Sequence, residues 1–174
     1  PGEIFVLRNA GNLVPAHGCD EGGSAATVEY AVAVLKIRHI VVCGHTGCGA
    51  MKALMDPPST ANLPAIRKWL HHAEPVRQVV EVLEPGDDHL AREVAAIKVN
   101  VVQQLCNLRT HPSVAAALYR GDLTLHGWVY DIQTGLVRAY DPMTQAFVPL
   151  GDPHRGIADG VFADLGHADT RMVG

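Results

Sequence analysis

No stretch of this 174-residue chain approaches the roughly 20 consecutive apolar residues that a membrane-spanning helix needs, so no membrane role is expected. Lys and Arg never cluster, and the net charge of −4 leaves no phosphate footprint, which argues against nucleic acid as a partner. Cysteine is scarce. Cys19, Cys43, Cys48 and Cys106 lack the spacing of a disulfide framework and fit a reducing compartment with at most one metal site. The first residues show no secretory leader pattern, and a cytoplasmic location is the expectation.

What is present points to one globular domain, large enough to bury roughly two-thirds of its unfolded surface. Its centre is the stretch from His39 to Ala50. An apolar run (Ile40, Val41, Val42) stops in a Gly-punctuated turn at Gly44, Gly47 and Gly49, and a helix-like segment follows. This reads as a buried strand, a tight loop and a helix start. Upstream, Ile4 to Leu7 reads as a short strand leading into the turn-prone Arg8-Asn9-Ala10-Gly11-Asn12. Ser24 is a good N-cap for a nearly all-apolar helix over 25–35, whose lack of a polar face predicts burial or an interface. Glu29 is the one carboxylate inside it, with Arg8 as a candidate partner and a solvated helix edge as the alternative.

Downstream, the pattern predicts two short helices split by Pro75 and a longer helix over 90–108, opened by Asp87-Asp88 and carrying Val94, Ile97, Val101, Leu105 and Leu108 on one stripe. Cys106 is expected in the core, and His71, His72, His89 and His111 in solvent. Residues 123–132 alternate as a strand, and Thr134-Gly135 turns them back into 136–140, a β-hairpin with Trp128, Tyr130 and Tyr140 as core or interface aromatics. The order of elements predicts an α/β fold, a mainly parallel central sheet flanked by helices with an antiparallel edge hairpin.

The chemistry concentrates in the central loop. His45 and Cys48 form a His-x-x-Cys pair, and an imidazole nitrogen with a thiolate suits a borderline-soft cation such as Zn²⁺. The pair sits just past the C-terminal end of a strand, where open α/β sheets place their ligands. Two ligands do not complete a zinc site, so others must come from elsewhere. Cys19, among Gly and acidic residues, reads as an exposed thiol or, less simply, a distant ligand.

Four segments taken together resemble the β-class carbonic anhydrases, and among them the carboxysome-associated members. They are Phe5 to Asn12, Glu29-Tyr30-Ala31-Val32, Val42 to Gly49, and Gly121-Asp122-Leu123 through Gly127-Trp128-Val129-Tyr130. They occur in the family's order and cover residues 1 to about 150, leaving 151–174 as a tail. The resemblance implies a zinc enzyme for reversible CO₂ hydration, with His45 and Cys48 as two of three protein ligands and a homodimer or higher homo-oligomer as the assembly. It implies a cytoplasmic or carboxysomal setting and CO₂ or bicarbonate as the small-molecule substrate. Three ligands leave an open position for water, whose pKa zinc brings to about 7.

The family takes its third ligand and a catalytic Asp–Arg dyad from a Cys-x-Asp-x-Arg motif on an earlier strand, which is not found before Phe5. The tail carries a counterpart, His167-Ala168-Asp169-Thr170-Arg171, after an apolar run. The expectation is that His167 is the third ligand and that Asp169 and Arg171 form the dyad, by permutation or across a dimer. Two other readings share the fold: a related hydrolase acting on CS₂, and a catalytically incomplete scaffold or assembly subunit.

Overall fold

The computed structural model describes residues 2–19 and 22–151. In chain order these form α1 (Gly23–Ala33), β1 (His39–His45), α2 (Gly49–Met55), α3 (Pro64–Leu70), α4 (Glu74–Leu83), α5 (His89–Thr110) and α6 (Pro112–Tyr119). Three strands follow: β2 (Thr124–Tyr130), β3 (Val137–Asp141) and β4 (Ala146–Pro149). The strands make one sheet in the order β1-β2-β3-β4. β1 and β2 run parallel, with His39 opposite Thr124 and His45 opposite Tyr130. β3 pairs antiparallel with β2, and β4 with β3. The expected α/β class, flanking helices and antiparallel hairpin edge are all found, and among the described strands the sheet is mixed.

The central helix explains the rest of the packing. Asp88 caps α5, its carboxylate accepting from the backbone N–H groups of Leu90 and Ala91 at 3.0 Å each. Ile97, Val101, Leu105 and Leu108 of the predicted stripe are all buried, whereas Val94, expected with them, is exposed near the start of the helix. The stripe lies on one sheet face, made by Val42 and Gly44 of β1 and by Leu125, Gly127 and Val129 of β2, also buried. Two glycines let the helix come close. A Cβ on Gly127 would stand 2.8 Å from Val101 Cγ1 and 3.0 Å from Leu105 Cδ1, and one on Gly44 would stand 3.0 Å from Val101 Cγ2. On the other face, His39, Val41, Cys43, His45 and Tyr130 are exposed.

Several expectations fail for identifiable reasons. Ile4 to Leu7 is not a strand and lies exposed, because no described strand offers it a ladder to join. The first helix starts after Gly22 rather than at Ser24, and buries only Ala31 and Val32; it meets α6 on one side and leaves Tyr30, Val34 and Leu35 exposed. Cys106 is exposed rather than in the core, since one residue past Leu105 is about 100° off the buried stripe. His111 is buried rather than solvated, with its Nε2 3.0 Å from the Pro15 carbonyl oxygen. The fourth strand was not foreseen. Its Phe147 sits opposite Tyr140, ring centroids 5.4 Å apart.

Candidate metal centre

The loop between β1 and α2 is held from both sides. Thr46 continues the pairing beyond the strand end, its N–H donating to the Tyr130 carbonyl at 3.0 Å while its Oγ1 accepts from the Ile132 N–H at 3.1 Å. Gly47 then takes the left-handed conformation (φ +69°), which a residue with a Cβ would resist. Cys48 follows as the N-cap of α2. Its carbonyl accepts from the Lys52 N–H at 3.0 Å, and its side chain makes no capping bond, so the sulfur is left for another partner. Cys48 is 5% exposed and His45 is solvent-accessible, so the pair stands at the boundary between core and open sheet end.

His45 carries its own orientation signal. Its Nδ1 is 3.0 Å from the Thr46 carbonyl oxygen. A carbonyl can only accept, so Nδ1 is the protonated nitrogen in this bond and Nε2 keeps its lone pair for a ligand. The N/S donor set fits a borderline-soft divalent cation as part of a site. Among the described residues no group of three His, Cys, Asp or Glu side chains converges to hold a metal, so two donors are what this loop supplies.

A second layer, missed by the sequence reading, fixes the Arg8-to-Asn12 segment beside the loop. Asn9 closes on itself, its Nδ2 donating to the Leu13 carbonyl (2.8 Å) and its Oδ1 accepting from the Leu13 N–H (2.9 Å). From α5, Asn100 Nδ2 donates to the Gly11 carbonyl and Gln104 Oε1 accepts from the Val14 N–H, each at 2.8 Å. Asn107 Nδ2 donates to the Val14 carbonyl at 2.8 Å, and Gln104 Nε2 ties back to Asn100 Oδ1 at 2.8 Å. Trp69 Nε1 completes the clamp by donating to the Ala10 carbonyl at 2.7 Å. The signal was present, amides at 100, 104 and 107 with helical spacing beside the apolar stripe. Asn12 sits at φ +46° with its Oδ1 3.8 Å from where a Gly44 Cβ would be, and its Nδ2 is buried without an acceptor among the described residues.

Of the site residues expected from sequence, His45 and Cys48 fall three residues apart on this one loop. His167, Asp169 and Arg171 lie outside the described residues. Cys19 is exposed, and no ion pair joins Arg8 to Glu29, both of which face solvent. Cys43, two residues before His45, is exposed as a residue, but its sulfur lies 3.5 Å from the Gly44 carbonyl oxygen in a half-buried setting, and that partial burial pushes its thiol pKa up.

Residues 1–137 match the carbonic anhydrase family profile. The chain is 52% identical over 152 residues to a carbonic anhydrase of Pseudomonas aeruginosa, covering 87% of this chain and 69% of that protein. It is 49% identical to carbonic anhydrase 1 of Escherichia coli O157:H7 (83% of this chain, 65% of that protein) and 45% identical to a carbonic anhydrase of Synechocystis (84% and 54%). It therefore spans between about half and two-thirds of the length of these relatives. Among solved structures it resembles the β-carbonic anhydrase CcaA, with a TM-score of 0.83 at 43% identity over 86% of this chain and 73% of that one. A Coccomyxa β-carbonic anhydrase follows, with a TM-score of 0.71 at 35% identity over 85% and 68%. With a His-x-x-Cys loop closing a strand on this sheet and an amide clamp behind it, the chain belongs to the β-class carbonic anhydrases.

Proposed function

We propose that this chain carries the zinc-binding loop of an enzyme for the reversible hydration of CO₂ to bicarbonate and a proton. The observation that carries the reading is the loop itself: a buried Cys48 sulfur free of capping duty, and His45 held with Nε2 available. Zinc, when bound, supplies a hydroxide at neutral pH by lowering the pKa of its water. The chain's own residues do the positioning. Thr46 and Gly47 set the loop, and the Nδ1 bond fixes the His45 ring. The clamp from α5 stiffens the Arg8-to-Asn12 segment alongside.

A third ligand has to approach from outside the described residues, and β1 leaves room for it, being paired on one edge alone among the described strands. In this sequence His167 is the candidate, with Asp169 as the carboxylate that would accept the hydroxide's hydrogen bond and Arg171 as the cation that would hold and neutralise it. The exposed Ile4 to Leu7, Tyr30 of α1 and the Val34 and Leu35 that follow it, also exposed, support an assembly of at least two copies.

The test is zinc content per chain together with stopped-flow CO₂ hydration, for the wild type and for Cys48→Ser, with CS₂ assayed alongside. The expected result is measurable hydration with zinc in the loop; in Cys48→Ser hydration is lost and the zinc content falls by about one per chain. Hydration unchanged in Cys48→Ser would overturn the reading, and hydration unchanged in Arg171→Ala would remove the tail from it.

A further inference from the structure

The open face of the sheet carries a second pair of metal-ligating side chains, remote from the loop. His39 opens β1 and His126 stands mid-way along β2. The register puts His39 opposite Thr124 and His126 opposite Val41, so the two histidines are diagonal neighbours on one face. Their ring centroids are 5.3 Å apart, and His39 Nδ1 is 3.2 Å from His126 Nε2. His45 lies six residues further along β1, about 20 Å away at strand rise.

We propose that His39 and His126 form a second site, for a borderline divalent transition-metal ion such as Zn²⁺, Ni²⁺ or Cu²⁺. Two metal–nitrogen bonds of about 2.0–2.1 Å meeting at a tetrahedral angle hold their nitrogens roughly 3.3 Å apart, close to the separation already present. Imidazole is the side chain these ions share as a preferred ligand. Paired strands fix both backbones, so little ordering entropy remains for chelation to overcome. His39 is exposed, which leaves water access to the remaining coordination positions.

Without metal, one ring donates its N–H to the other. On chelation that proton is replaced by the ion, and the donor ring carries its hydrogen on its other nitrogen, exchanged through water. Partial burial, and then the neighbouring His39, hold the His126 pKa below the ordinary histidine value, which keeps the ring neutral and competent as a ligand at neutral pH. The bound ion would staple β1 to β2 at the end of the strands away from His45.

The experiment uses the Cys48→Ser protein, which disables the loop pair, with Ni²⁺ titrated calorimetrically and Cu²⁺ bound for electron paramagnetic resonance. About one Ni²⁺ per chain and a copper signal with nitrogen ligation are expected, with affinity falling about tenfold or more on adding His39→Gln or His126→Gln. His39→Gln is the deciding variant, because an exposed strand residue can be changed without unfolding the sheet. Nickel affinity within twofold of the parent in His39→Gln, or no nickel binding by Cys48→Ser itself, would overturn the site.

Discussion

Replacing Gly127 by Ala tests the packing that places β1 and its loop. The new methyl would meet Val101 Cγ1 at 2.8 Å, Leu105 Cδ1 at 3.0 Å and Tyr140 Cβ at 3.4 Å. The leucine end can swing aside. Val101 cannot, because a β-branched side chain in a helix is held in one rotamer and its other methyl already faces Gly44. Either α5 lifts or β2 bends, and overpacking of this kind costs about 1–3 kcal/mol. For a domain of this size that is a fall in Tm of roughly 2–12 °C. Thermal unfolding by circular dichroism measures it, and a double-mutant cycle identifies the cause. Val101→Ala alone removes two methyl groups, about 2 kcal/mol. In that background Gly127→Ala should cost at least about 1 kcal/mol less than in the wild type. A Gly127→Ala protein melting within a degree of wild type, or one whose cost is the same in both backgrounds, would refute the close-approach argument.

Other expectations follow from the same contacts. Gln104→Leu leaves the Val14 N–H and the Asn100 Oδ1 without their partner, and should cost about 2–4 kcal/mol in urea unfolding, with faster hydrogen exchange at Val14. Cys43 should alkylate slowly at neutral pH, with its rate rising at a pH above the ordinary cysteine value, because burial disfavours its thiolate. Mass-spectrometric mapping of iodoacetamide labelling against pH checks this. The Arg77 guanidinium bridges Glu74 and Glu81 on α4, and its hydrogen bond to Glu74 lowers that carboxyl's pKa. A depressed carboxyl contributes stability above its unfolded pKa, and that contribution is lost as pH falls through the folded value. Glu74→Gln should therefore cost about 0.2–1 kcal/mol at pH 7, and the difference should shrink as the pH falls through the folded value and vanish below it.

Much of this was legible in the residues. The strand from His39, the loop with His45 and Cys48, the long α5 with its Asp-capped start and the hairpin about Thr134-Gly135 each have a local cause: an apolar run, a left-handed glycine, a cap, a turn. Local causes act on neighbours in sequence, so a sequence displays them. The family motifs lie on these same pieces.

What the sequence did not display depends on partners distant along the chain. Ile4 to Leu7 has strand composition, but a strand exists only when another edge receives it. The apolar run of α1 predicts burial, yet which of its residues are covered depends on where α6 lies. His111 reads as a polar helix-end residue until the fold brings Pro15 against it. The amides of α5 look like a solvated edge, and become a clamp only when the Arg8-to-Asn12 segment folds across them, some 90 residues away in sequence. The sequence by itself displayed the His-x-x-Cys pair proposed as metal ligands and most of the segments that become helix or strand, because those follow from side-chain type and local backbone preference. Tertiary structure alone decided which faces are covered, which histidines meet and how tightly α5 sits on Gly44 and Gly127, because contacts between distant segments are set by packing geometry that no local pattern encodes.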